Sequence, residues 1–104
     1  MEYETIFNIL KTLEIPVAYD HFNSDKNVNP PFLTYREISS DTFKADNISY
    51  LRKYNYELEL VTIKKDAVLQ NRLEEILTNN KIPYDKEDEV WDHDEKIYHN
   101  YYEI

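Results

Sequence analysis

The sequence has no glycine and no cysteine in 104 residues, and 12 basic residues stand against 21 acidic ones. Average usage of roughly 7% would supply about seven glycines. Without them, every left-handed backbone position in a turn or after a helix falls to Asn, Asp or a strained residue. Phosphate loops of the Walker type, dinucleotide fingerprints, EF-hand loops and nucleophile elbows need glycine where the chain bends sharply or a ligand approaches the backbone. None is present in standard form. The missing cysteine excludes disulfides, thiolate metal sites and thiol catalysis. The opening segment MEYETIFNILKTLEIP is acidic and amphipathic, so it reads as neither a signal peptide nor a transmembrane helix, and a cytoplasmic origin is expected.

What is present points to one compact domain over residues 1–104. The chain is 41% hydrophobic and 14% aromatic, too apolar for disorder. A formal charge of -9 and a mean hydropathy of -0.76 still place it at the polar end of globular proteins. Asn, Ile, Lys, Tyr and Phe are favoured over Ala, Arg and Gly, the mark of an A/T-rich genome, so part of the composition is mutational bias.

Tyr3, Ile6, Phe7, Leu10 and Leu13 form the stripe of an amphipathic helix over 2–14, stopped at Pro16. Val17-Ala18-Tyr19 reads as a short strand, His21 to Pro31 as a loop, and FLTYREI (32–38) as a strand. From Ser49 to Ile63 the chain alternates, with Tyr54, Tyr56, Leu58 and Leu60 on one side and Lys53, Asn55, Glu57 and Glu59 on the other. At about 3.4 Å per residue this strand would span roughly 50 Å, longer than a small domain is wide. Residues 40–50 are therefore expected to form an assembly arm or a flexible loop.

Asp66 is placed to cap a second helix, 67–79, with Leu69, Leu73, Ile76 and Leu77 inward. Asn79-Asn80 ends it, with Asn expected in the left-handed position. Ile82 to Trp91 and Lys96 to Ile104 read as a hairpin with a polar tip of Asp and His. The pattern I-L-x4-I-P occurs twice, at Ile9 to Pro16 and at Ile76 to Pro83, each time where a helix gives way to a strand. The expected fold is α+β in the order αβββαββ: a mainly antiparallel sheet of about five strands with two helices packed on one face.

Little in the sequence points to catalysis. His93 lies among Asp92, Asp94 and Glu95, but alternating strand geometry sends neighbouring carboxylates to opposite faces, and a solvated hairpin is the simpler reading. His99 lies beside Tyr98, Tyr101 and Tyr102 and reads as structural, and His21 has no visible partner. Glu57 and Glu59 share a strand face, as exposed charges of antiparallel strands ordinarily do. No catalytic, cofactor-binding or metal site is expected, and no enzyme. A charge of -9, with no basic cluster larger than Lys64-Lys65, argues against specific nucleic-acid binding. An acidic surface can instead mimic DNA or line a passage that DNA slides through.

The ten tyrosines are the strongest positive feature, since Tyr gives large contact area at low entropic cost and is enriched at interfaces. Tyr19, Tyr54 and Tyr56 are expected in the core. Tyr98 and Tyr102 face opposite to Tyr101, so part of this aromatic surface is left for a partner. The candidate contact residues are Asp41, Phe43, Asp46 and Tyr50 on the 40–50 segment and Tyr98, Tyr101 and Tyr102 on the last strand.

Taken in order, IPVAYDHF, PPFLTYRE, ADN-x-SY, YNYELELVTIKKD, LQNRLEEIL, IPYDKED and YHNYYEI resemble the small tail-completion or head-tail joining proteins of siphophages and prophages of low-GC Gram-positive bacteria. The resemblance covers nearly the whole chain and rests on order, spacing and strings such as YELELVT-x-KKD and YYEI. It implies a structural virion protein of the tail, made in the host cytoplasm and tail terminator-like. Such a protein forms a ring of its own copies, with a hexamer as the expected number, and its other partners are the tail-tube protein and the head connector or stopper. The alternative carried by the charge is a small acidic monomeric inhibitor or DNA mimic of a mobile element. Neither reading involves a membrane.

Overall fold

A computed structural model of the chain describes residues 3–23, 28–44 and 50–104, with the backbone alone at Tyr3, 39–44 and 50–54. Helix α1 (Tyr3–Leu10) runs into a single 3₁₀ turn (Lys11–Leu13). Strands β1 (Val17–Tyr19), β2 (Phe32–Lys44) and β3 (Tyr50–Thr62) follow, then helix α2 (Ala67–Asn79) and strands β4 (Asp85–Asp92) and β5 (Ile97–Glu103). The order αβββαββ and the α+β class are those expected. The strands form one sheet in the order β1-β2-β3-β5-β4. It is antiparallel except at its edge, where β1 pairs parallel with β2 over Val17↔Leu33 to Tyr19↔Tyr35.

Both helices pack on the same face of the sheet. Ile6, Leu10 and Leu13 from the first helical segment and Leu69, Leu73 and Leu77 from α2 meet Leu33, Tyr35, Tyr56, Leu58, Leu60 and Tyr102 from the strands. The period of two along β3 sends Tyr56, Leu58 and Leu60 inward together, as the alternation requires. Each fully buried Leu contributes about 1.5–3 kcal/mol. Arg72 ties the two helical segments by donating to the Leu13 carbonyl at 3.1 Å. Asp66 caps α2, its carboxylate accepting from the Leu69 amide at 3.0 Å. Tyr19, expected inside, is 45% exposed. It sits on the edge strand, edge-on to Tyr35, and its hydroxyl accepts from the Glu37 amide.

Among the described residues positive φ falls on Glu14, Asp20, Lys81 and Lys96, so Asp takes one such position and residues strained by it the other three. The helix stop differs from expectation. After α2, Asn80 has φ -93, and it is Lys81, at φ 58, that takes the left-handed position. The Ile82 amide reaches the Leu77 carbonyl at 2.9 Å and the Lys81 amide the Thr78 carbonyl at 3.0 Å, the paired bonds of a Schellman stop with Ile82 against Leu77. Asn80 helps through its side chain, donating to the Ile76 carbonyl at 2.8 Å. Glu14 and Lys81 occupy the same place in the two I-L-x4-I-P segments, directly before Ile-Pro, so the repeat encodes one turn used twice.

Of the segment 40–50, expected to form an assembly arm or a flexible loop, the described residues, 40–44 and 50, are strand. β2 continues to Lys44 and pairs with β3 in six further steps, from Ser39↔Asn55 to Lys44↔Tyr50, beyond a register shift between Glu37 and Ser39. β5 flanks β3 only over Glu57–Thr62, and Ile104 extends that edge to Tyr56. β1 flanks β2 only over Leu33–Tyr35. From Ser39 to Lys44 and from Tyr50 to Asn55 the hairpin thus has no third strand among the described residues. Six residues make a ribbon about 20 Å long, in a molecule with extents of 53 × 29 × 25 Å. Residues 45–49, including Asp46, lie outside the described residues.

Candidate functional site

The sheet face away from the helices is open, and the register sets its side chains in rows. At one end Phe32, Val61, His99 and Val90 form a mostly apolar row. The next row is Thr34, Glu59, Tyr101 and Asp88. The row nearest the ribbon is Arg36, Glu57, Glu103 and Asp85, with Glu87 at the bulge beside it. The face grades from apolar to strongly acidic. Its cation, Arg36, meets Glu57 at 3.4 Å with half its surface in solvent, a pair of modest worth. Burial raises the Glu87 pKa, and the neighbouring carboxylates of Glu103, Glu57, Asp85 and Asp88 raise it further. Tyr101 is raised by burial and by Glu59 beside it.

Residues 20–23 and Val28, after β1, border the apolar end and leave a cleft of about 370 Å³. Phe22, Phe32, Val61 and Ile97 line it, with Glu59 and His99 at its polar side. Phe22 sits edge-on to Phe32 at 5.4 Å between ring centres. His99 Nδ1 lies 2.5 Å from a Glu59 carboxylate oxygen and Nε2 lies 3.9 Å from Asp92, while the Tyr101 ring stacks on the imidazole. Chemically this is an imidazole held between carboxylates that links β3, β5 and β4, which fits the structural reading of His99. His21, expected without a partner, meets Asp20 at 2.9 Å. His93 is exposed at the hairpin tip, whose turn is organised by Asp92 accepting from the Asp94 and Glu95 amides. Among the described residues no group of three or more His, Asp or Glu is arranged to hold a metal, and no helix is long and apolar enough to cross a membrane.

The tyrosines of the last strand divide as their parity requires, but not all serve as contact residues. Tyr102 is withdrawn from the candidate surface. It is fully buried, and its hydroxyl donates to Glu74 on α2 at 2.9 Å. Tyr98, on the same side, is half-buried against Trp91 at 4.7 Å. Tyr101 lies on the open face. Asp41, Phe43 and Tyr50 fall on the ribbon. Glu103, Asp85, Glu87 and Asp88 were not singled out from the sequence, because only the β3-β5-β4 register brings them beside Glu57.

The fold and this surface define a small α+β protein with one sheet face covered by helices, one open, and a two-stranded ribbon extending past the rest of the sheet. The chain matches no family model and no curated protein.

Proposed function

We propose that the protein is a phage or prophage virion component that completes the tail and joins it to the head, forming a ring at the head-proximal end of the tail tube. The single observation that carries this reading is the ribbon. A hairpin held by its neighbours at one end and extended beyond them at the other leaves backbone donors and acceptors on both edges, which a stable monomer would normally cover or shorten. Such a projection suits a protein that must touch its own copies, a tail tube and a connector.

The test follows the strand register. Residues 42–52 are replaced by Asn-Gly, so that Asp41 and Lys53, already opposite one another, close on a two-residue turn. The trimmed protein should keep its far-ultraviolet circular dichroism. Virions assembled with it should show tailless heads and overlong tails accumulating separately. Normally joined particles would refute the reading.

A second reading is favoured by the carboxylates around Glu57 and Glu103, which would suit an acidic inhibitor or DNA mimic. Such a protein should remain monomeric in light scattering and bind a DNA-handling protein, whereas a ring former should oligomerise at high concentration or with tail-tube protein.

A further inference from the structure

The cleft at the apolar end of the open face holds polar groups that the fold leaves unused. Its floor is apolar, with Val61 buried and the Phe22 and Phe32 rings edge-on to each other. Asp20, Glu59 and Glu95 bring carboxylates to it, and no lysine or arginine is among the described residues that line it. Those carboxylates do not converge as metal ligands do. Glu59 meets His99 and Tyr101 through Oε1 alone, and its Oε2 has no hydrogen-bond partner among the described residues. Thr34 is only 8% exposed, yet its hydroxyl likewise has no partner among them. Every fully enclosed side-chain oxygen or nitrogen of the described residues is hydrogen-bonded, so the Thr34 oxygen opens on the cleft it lines. Thr34 and Glu59 are register partners, with Cβ atoms about 5 Å apart, and one small donor group reaches both.

We propose that this cleft binds a small organic cation, a primary ammonium group carried on a compact aromatic body. An ammonium has three donors and no acceptor, which suits a site whose free groups are a carboxylate oxygen and a hydroxyl. It donates to Glu59 Oε2 and to the Thr34 hydroxyl, while the body lies against Phe22, Phe32, Val61 and Ile97. The phenyl faces attract the same charge. An anion is disfavoured, because the carboxylates of Asp20, Glu59 and Glu95 repel it and no lysine or arginine among the described lining residues offsets them. A volume of about 370 Å³ is at the lower end of ligand pockets, which run from roughly 300 to 1,000 Å³, so the body is one ring instead of several. The cleft lies at the far end of the face from the ribbon, and the proposal is independent of the tail-joining reading.

The experiment titrates the full, isotope-labelled chain with phenethylammonium chloride at constant ionic strength and follows the backbone amides by NMR. The shifts should saturate and centre on Thr34, Glu59, Val61 and His99. Phenethyl alcohol, of the same shape without the charge, should bind about tenfold more weakly, and the anion hydrocinnamate should not bind. Ethylammonium, a cation without a ring, should also lose about tenfold or more. So should Nα-acetyllysine methylamide, which presents an ammonium as a protein side chain would. Thr34→Val should weaken phenethylammonium binding about fivefold without lowering the melting temperature, since the hydroxyl gives up no bond within the protein. Glu59→Gln should weaken it about tenfold with circular dichroism unchanged. Shifts that do not saturate or that spread to Glu57 and Glu103, equal binding of the alcohol, or a Thr34→Val variant that binds as wild type would each overturn the site. Equal or tighter binding of the lysine derivative would assign the cleft to a partner's side chain and overturn the small-ligand proposal.

Discussion

The buried pair Gln70 and Asn100 offers a test of how α2 is held on the sheet. Gln70 on α2 donates to the Asn100 side-chain oxygen at 2.7 Å, and the Asn100 amide donates to the Leu60 carbonyl at 3.0 Å. Both residues are 2% exposed, so water cannot replace either partner. Asn100→Leu keeps the shape but leaves the Gln70 amide without its acceptor, a loss of about 2 kcal/mol, and Gln70→Met strands the Asn100 oxygen at similar cost. For a chain of this size about 2 kcal/mol corresponds to about 9 °C in Tm.

The double variant removes both ends of the bond and should recover most of that loss. It should settle about 1 kcal/mol below wild type, because the Asn100 donor to the Leu60 carbonyl and the contact of Gln70 with the Tyr102 hydroxyl are also gone. Independent sites would instead give a sum near 4 kcal/mol, so the expected coupling is about 3 kcal/mol. Urea titrations followed by circular dichroism, with a constant m-value, measure it. A double variant as unstable as the sum of the singles would refute the reasoning.

Two other outcomes follow from the turns and the core. Lys81→Gly should raise stability by about 1 kcal/mol, since the left-handed position after α2 costs a side chain more than glycine loses in unfolded freedom; a lower melting temperature would contradict this. Burial, with Glu74 beside it, raises the Tyr102 pKa above its ordinary value of 10.0, so the folded chain holds this proton after the unfolded chain has released it. The contribution is therefore intact below about pH 10 and is lost above it at up to about 1.4 kcal/mol per pH unit. In denaturation curves between pH 9 and 11, Tyr102→Phe should flatten that slope.

Much of the fold is legible because local patterns and burial agree. The alternation of Tyr56, Leu58 and Leu60 and the Asp66 cap need no knowledge of distant residues, since both follow from backbone periodicity and one side-chain bond. The reach of β2 was not legible. Ser39 to Thr42 have the composition of a turn, and their pairing with β3 is a matter of long-range register that no local pattern marks. The αL residues escaped for a related reason: the Schellman bonds and the Leu77–Ile82 contact hold Lys81 where composition argues for Asn.

The division between Tyr101 and Tyr102 shows where local information stops. Parity alone says that they point oppositely. Which of them meets α2 depends on the sheet order β1-β2-β3-β5-β4 and on the side of the sheet the helices take. The open face is the same case on a larger scale. Glu57, Asp85 and Glu103 are scattered along the chain and become neighbours through strand register, which no local window contains. Charge, periodicity, caps and the absence of glycine cradles belong to the sequence, because each is a property of residues a few positions apart. The graded face and the ribbon belong to the tertiary structure, because hydrogen-bonded register decides which distant residues share a row and which strand runs on without a neighbour.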